Sequence, residues 1–223
     1  MAREARPALR DRIEGAEEDI EKWHMLRVGK GKELRKAIES CSGERAVHRQ
    51  LEQNPWVFFR LFQYTYPGYV ISHFSLGDEF EADFVVMTAY SGGWFVYFVE
   101  LEPSSLRPFN RSGVYSKRLN HAADQIRNWK LFIERPEKKI YLISQLCRAA
   151  KTRELYWGDG REPKCRASLR FDDPNSCHTF YFHVLMGRRY HLNEAQMTKK
   201  AGLLKTDGFE LITYDRVLDL LKA

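Results

Sequence analysis

Apolar residues along this chain fall in two rhythms, and the switch between them predicts the elements. "YVISHFSL" (69–76), "EFEADFVVM" (79–87) and "WFVYFVELE" (94–102) are rich in β-branched and aromatic residues, and "GD" and "SGG" punctuate them, which predicts three strands. Ahead of them, residues 5–25 set Ile13, Ala16, Ile20 and Trp23 at helical spacing, and residues 31–40 predict a further turn or two of helix. "SGERAVHRQLEQNP" (42–55) predicts a helix begun by Ser42, with Glu44 in its first turn and an end before Pro55; "WVFFRLF" continues as a buried aromatic segment. After the strands, "SKRLNHAADQIRNWKLFIE" lines Leu119, Ala122, Ala123, Ile126, Trp129 and Ile133 along one helix side. "KKIYLIS" (138–144) reads as a short buried strand and "QLCRAAKTRELYW" as a second basic helix capped by Ser144. "GDGREPKCRAS" is a loop, "HTFYFHVLM" a strand, "NEAQMTKKAGLL" a helix, "FELITY" a strand and "DRVLDLLK" a closing helix with Asp215 near its cap. Strands alternating with helices predict an α/β class with a mixed sheet flanked by helices.

The second and third strands raise the question of function. With Ser91-Gly92 as a two-residue turn, Tyr90 pairs with Gly93, and the same register sets Asp83 opposite Glu100 and Glu81 opposite Glu102. Like charges directly across a ladder destabilise it, and burial raises that cost until a cation or altered protonation relieves it. The flanking residues on both strand faces are apolar, so both faces are expected to be covered. Acids bracketing a hairpin at the ends of apolar strands suit a hard divalent cation held by oxygens. The alternative is a solvent-exposed sheet edge where Arg107 or Lys117 pairs with these acids.

Composition adds limits more than direction. The 223 residues, 43% apolar and 13% aromatic, suffice for a sizeable core. No apolar run reaches membrane-span length, and the charged start lacks the apolar stretch of a signal peptide, so a cytoplasmic protein with no membrane association is expected. Four scattered cysteines form no C-x-x-C pair, and Cys165, Cys177, His178 and His183 fit no common zinc spacing. A net charge of +6 permits an anionic partner such as nucleic acid without requiring one. Arg148, Lys151, Arg153, Arg161, Lys164 and Arg166 concentrate cations that suit either phosphate contacts or a solvated face. No phosphate-binding glycine loop is present: "GKGKE" has the wrong spacing and no strand before it.

An acid (Asp83), a hairpin turn, and a Glu-x-charged triplet after an apolar strand, with "QIRNW" on the next helix, resemble the PD-(D/E)xK nuclease core. "ERAVHRQLEQNP", "FVELEPSSL" and "SKRLNHAADQIRNWKLFIE", in that order, are similar to the Shedu anti-phage nuclease domain, over about residues 44 to 143; "LITYDRVLDLL" resembles its closing strand and helix. The resemblance implies a restriction-endonuclease-like core over 43–223, and residues 1–42 remain as an N-terminal helical extension. It implies a metal-dependent DNA endonuclease of anti-phage defence, often a homo-oligomer, acting on phage or plasmid duplex with Mg²⁺ or Mn²⁺. Asp83 and Glu100 would hold the metal, with a backbone carbonyl near Leu101, Gln125 would orient a ligand or a water, and Glu44 would support the site.

Glu102 departs from the pattern, which has Lys there. Three readings stay open. Glu102 helps bind metal, or a cation comes from elsewhere (Lys117 first, then Lys130 or Arg127), or the domain is inactive and serves as a DNA-binding or oligomerising module. Glu81 and His121, one turn before Gln125, are further support candidates. Arg148, Lys151, Arg153 and Lys164 are candidates for the DNA backbone.

Overall fold

The computed structural model describes residues 31–41, 43–62, 68–90, 92–151 and 170–222. The helix expected over 5–25, the cap at Ser42, and Arg153, Arg161, Lys164 and Arg166 lie outside the described residues. Three helices lead: α1 (Gly31–Glu39), α2 (Glu44–Gln53) and α3 (Trp56–Leu61). Three strands follow, β1 (Gly68–Leu76), β2 (Phe80–Tyr90) and β3 (Gly93–Leu101), then two helices, α4 (Lys117–Glu134) and α5 (Pro136–Lys151). The chain closes with β4 (Cys177–Leu185), α6 (Glu194–Thr206), β5 (Glu210–Ile212) and α7 (Tyr214–Leu220). The strands form one mixed sheet in chain order, antiparallel from β1 to β3 and parallel from β3 to β5. This is the mixed α/β class the alternating pattern predicts.

Both sheet faces are covered, as near-continuous apolar strands require. On one face Val85, Met87, Val96 and Phe98 meet Leu119, Ile126 and Trp129 of α4, Leu142 and Leu146 of α5, and Leu203 of α6. On the other, Phe84, Val86, Tyr97 and Val99 meet Ile38, Val47, Leu51, Phe58 and Tyr214, from α1, α2, α3 and α7. No described helix is long and apolar enough to cross a membrane.

The expected strand at 138–144 is a correction. These residues sit inside α5, which begins on Pro136 with Glu137 in its first turn, both favourable at a helix start. Leu142, Leu146 and Ala150 are buried at four-residue spacing, whereas Ile140 is 69% exposed and Tyr141 half exposed. The local run of apolar letters resembles a strand, but the helical period of the buried positions decides. Ser144 is therefore within the helix and caps nothing.

The hairpin register is also informative. Tyr90 pairs with Gly93 and the ladder runs as expected to Phe84 opposite Val99. There it stops, because the Asp83 carboxylate accepts the Leu101 N–H at 2.7 Å. In β1 the core-facing set changes from Tyr69 and Ile71 to Phe74 and Leu76, and in β2 from Val85 and Met87 back to Ala82. Alternation thus changes phase at His73, whose φ of 49° is left-handed, and at Asp83. Glu81 is turned out to His73, 3.0 Å away, and the Glu102 N–H bonds to Leu185 of β4. The expected stack of four acids across one ladder therefore does not form.

Candidate metal centre at the end of the third strand

The acids gather where β3 ends, beside the antiparallel-to-parallel change in the sheet. Glu100 is buried on the last turn of the strand's pleat and accepts from Gln125 Nε2 of α4 at 3.1 Å. Gln125 Nε2 also donates to the Glu81 carbonyl at 3.0 Å, tying α4 to β2. Glu102, only 2% exposed, has its Oε2 3.8 Å from Arg118 of α4, with no hydrogen-bond partner among the described residues. From α2, His48 brings its Nε2 to 3.8 Å from Asp83 Oδ1. Ser116 caps α4 by accepting from Leu119 N–H, which fixes the turn that carries Arg118.

Burial and mutual repulsion raise the proton affinity of these acids. Burial, then the charges of Asp83, Glu102, Glu44 and Glu81, pushes Glu100 up to about 9. Burial pushes Glu102 up to about 7, against the pull of Arg118 and with Glu44 and Asp83 adding to the rise. Glu44 is raised by burial and by Asp83, and Asp83 by burial despite the Leu101 N–H it accepts. The fully buried Tyr214 hydroxyl is raised by burial and by Asp83, Glu44 and Glu102, so it borders the same cluster. Burial, then His73, lowers His48.

An oxygen-only donor set with mutual repulsion and one orphaned carboxylate oxygen fits a hard divalent cation. Asp83 and Glu100 are the acids free to turn one oxygen each to it, since Leu101 N–H and Gln125 engage the others. Among the described residues no three of these acids yet close to within 4.8 Å of one another; that spacing is reached by His48, Glu52 and His73.

Of the residues singled out in the sequence, Glu44, Asp83, Glu100, Glu102 and Gln125 lie together. Glu81 contributes its carbonyl while its carboxylate faces His73. Lys117, His121 and Arg148 are exposed; Arg118 comes to 3.8 Å from Glu102 and also acts on Glu44, on which Arg45 acts more weakly. The side chain of Lys151 lies outside the described residues. Three participants went unread: Arg118, His48 and Tyr214. Arg118 was legible, because seven residues before Gln125 is about 20° from the same helix face at about 100° per residue, whereas Lys117 is about 80° away.

Residues 42–218 match the family model described as "Shedu protein SduA, C-terminal". The chain belongs to that family. A comparison with curated proteins returns no match. Shedu membership points to a role in anti-phage defence, and the match takes in β1 to β5 and every acid of the cluster.

The raised acids give this Shedu domain a pH signature. Glu100 holds its proton up to about 9 when folded against an ordinary 4.5, so the folded chain binds more protons than the unfolded one across that window. Stability of the metal-free protein is therefore full below about pH 4.5 for this group and is lost as pH rises toward 9. Thermal melting in chelator is expected to fall between about pH 6 and about pH 8.5, with the slope flattened in Glu100→Gln.

Proposed function

We propose that this Shedu domain is a divalent-metal-dependent DNA endonuclease with a PD-(D/E)xK-type core. The observation that carries the reading is the buried acid cluster at the end of β3, held at raised proton affinity with the Glu102 oxygen unpaired. Asp83 and Glu100 would hold Mg²⁺ or Mn²⁺, with the Leu101 carbonyl beside them. When bound, the cation would polarise the phosphodiester, lower the pKa of a water so that it loses a proton and attacks phosphorus as hydroxide, and stabilise the sugar oxygen whose bond to phosphorus breaks and which then takes a proton from solvent.

The chain's own groups do the rest. Gln125 Nε2 fixes one Glu100 oxygen, so the other points at the reacting centre. Leu101 N–H does the same for Asp83. Glu102 Oε2, unpaired and held near neutrality, receives the proton of the attacking water. Arg118, mostly exposed on its outer side, supplies the fixed positive charge beside the phosphate that a lysine at 102 would otherwise give. DNA duplex is the partner in this reading; a cytoplasmic setting and self-assembly belong to the same proposal.

The test is plasmid cleavage across a metal series. Nicking in Mg²⁺ or Mn²⁺ is expected, with none in chelator and none from an Asp83→Ala, Glu100→Ala double variant. Salt-sensitive DNA retention without cleavage in any metal would instead make the domain a binding module.

A further inference from the structure

We infer that His48, Glu52 and His73 form a second metal site, imidazole-based, that takes a borderline divalent cation of the Zn²⁺ class beside the carboxylate cluster. One ligand atom from each lies within 4.8 Å of the others. His48 and Glu52 sit one turn apart on α2, with His48 Nδ1 3.9 Å from Glu52 Oε1. The His73 ring is brought from β1 to stack on His48, 4.2 Å between centroids.

Two imidazoles and one carboxylate are the donor set of a zinc-type ion, whereas Mg²⁺ takes oxygens. Bonds of about 2.0–2.1 Å would require the three atoms to draw closer and the His73 ring to tip off its stack on His48, because imidazole lone pairs lie in the ring plane. The exposed side chains of His73 and Glu52 can move inward, while His48, with 8% of its side chain exposed, is fixed by packing on Phe84.

Three further observations point to an occupant. His48 Nε2 is buried facing Asp83, whose backbone it meets in strained hydrogen-bond geometry and whose Oδ1 is 3.8 Å away, and this poor pairing costs free energy unless something orients the ring. His73 adopts a left-handed φ of 49°, a conformation a β-strand histidine does not favour, and it is this turn that swings its ring to His48. Each imidazole also has a carboxylate at one nitrogen: Asp83 Oδ1 is 3.8 Å from His48 Nε2, and Glu81 Oε1 is 3.0 Å from His73 Nδ1. Metal-bound histidines commonly place their second nitrogen against such a carboxylate, which fixes the tautomer. Occupancy would thereby direct the His48 Nε2–H at Asp83 and connect the two sites. The inference does not require that the chain cut DNA.

The test uses the full chain, without a polyhistidine tag, stripped with chelator and titrated with CoCl₂ while visible absorption is followed, then with ZnCl₂ in competition. One equivalent of Co²⁺ is expected to bind with intense imidazole-type visible bands and no thiolate charge-transfer band, further Co²⁺ in the carboxylate cluster adding only weak bands, and Zn²⁺ is expected to displace the first equivalent. His73→Ala and Glu52→Gln, both at exposed side chains, are each expected to weaken Co²⁺ by about tenfold or more. Glu100→Gln is expected to leave it within about threefold, because that residue is outside the site. The inference is overturned if wild type gives no saturable spectrum, if His73→Ala binds as wild type does, or if Glu100→Gln weakens binding as much as His73→Ala does. The last outcome would put the ion in the carboxylate cluster and would leave the nuclease reading standing.

Discussion

Glu100→Gln is expected to abolish cleavage and, in the absence of metal, to make the protein more stable. The substitution keeps the size of the side chain, and its amide oxygen can still accept from Gln125 Nε2. It removes a carboxyl that must take up a proton when the chain folds near neutral pH, because burial and then the charges of Asp83, Glu102, Glu44 and Glu81 disfavour its ionised form. Relief of about 1 kcal/mol would raise the melting temperature by about 2–4 °C in a chain of this size. The same change deletes one of two proposed metal ligands, so cleavage should fall by about 10²-fold or more. Melting with and without MgCl₂, together with plasmid nicking, checks both halves. Wild type should gain stability from Mg²⁺ and the variant should not. A variant that melts well below wild type in chelator would mean the Glu100 carboxyl holds the fold together, contrary to its place among buried acids that oppose its ionisation.

Arg118→Ala should cost cleavage about 10²-fold, while Lys117→Ala costs little. The two residues are adjacent at the start of α4, yet only Arg118 reaches Glu102, at 3.8 Å. Its side chain is more than half exposed while reaching Glu102, so it stands where a phosphate would arrive from solvent. Removing it also leaves Glu102 without the charge that lowers its proton affinity, so the pH profile of any residual activity should shift upward. Steady-state cleavage of a short duplex by both variants, at several pH values, gives the comparison. Equal losses from the two substitutions would indicate general electrostatic attraction of DNA in place of a fixed role for Arg118.

The sequence revealed most where side-chain periodicity and turn chemistry agree. The two-residue turn set the hairpin register, and the apolar strand faces told correctly that both sides of the sheet are covered. The closing elements from β4 to α7 followed from the same alternation. What escaped were departures from regularity. The phase change at His73 and Asp83 breaks the assumption of strict alternation, so the Glu81 carboxylate turned out to His73 and Leu101 N–H took the place of a ladder bond. The 138–144 segment misled because Ile140 and Tyr141 are apolar yet exposed, and only Leu142, Leu146 and Ala150 reveal the helix. His48 was hidden for another reason. It lies on the buried side of α2 with Val47 and Leu51, and only β1, distant in sequence, brings His73 to it.

The central claim is that a divalent cation belongs between Asp83 and Glu100. Crystals soaked in MnCl₂, with diffraction recorded for anomalous signal, test it most directly. The account predicts an anomalous peak bounded by the Asp83 and Glu100 carboxylates near the Leu101 carbonyl, with Gln125 still bonded to Glu100. Soaked crystals with no peak there, and with Asp83 still bonded to Leu101 N–H and Glu100 to Gln125, would contradict it.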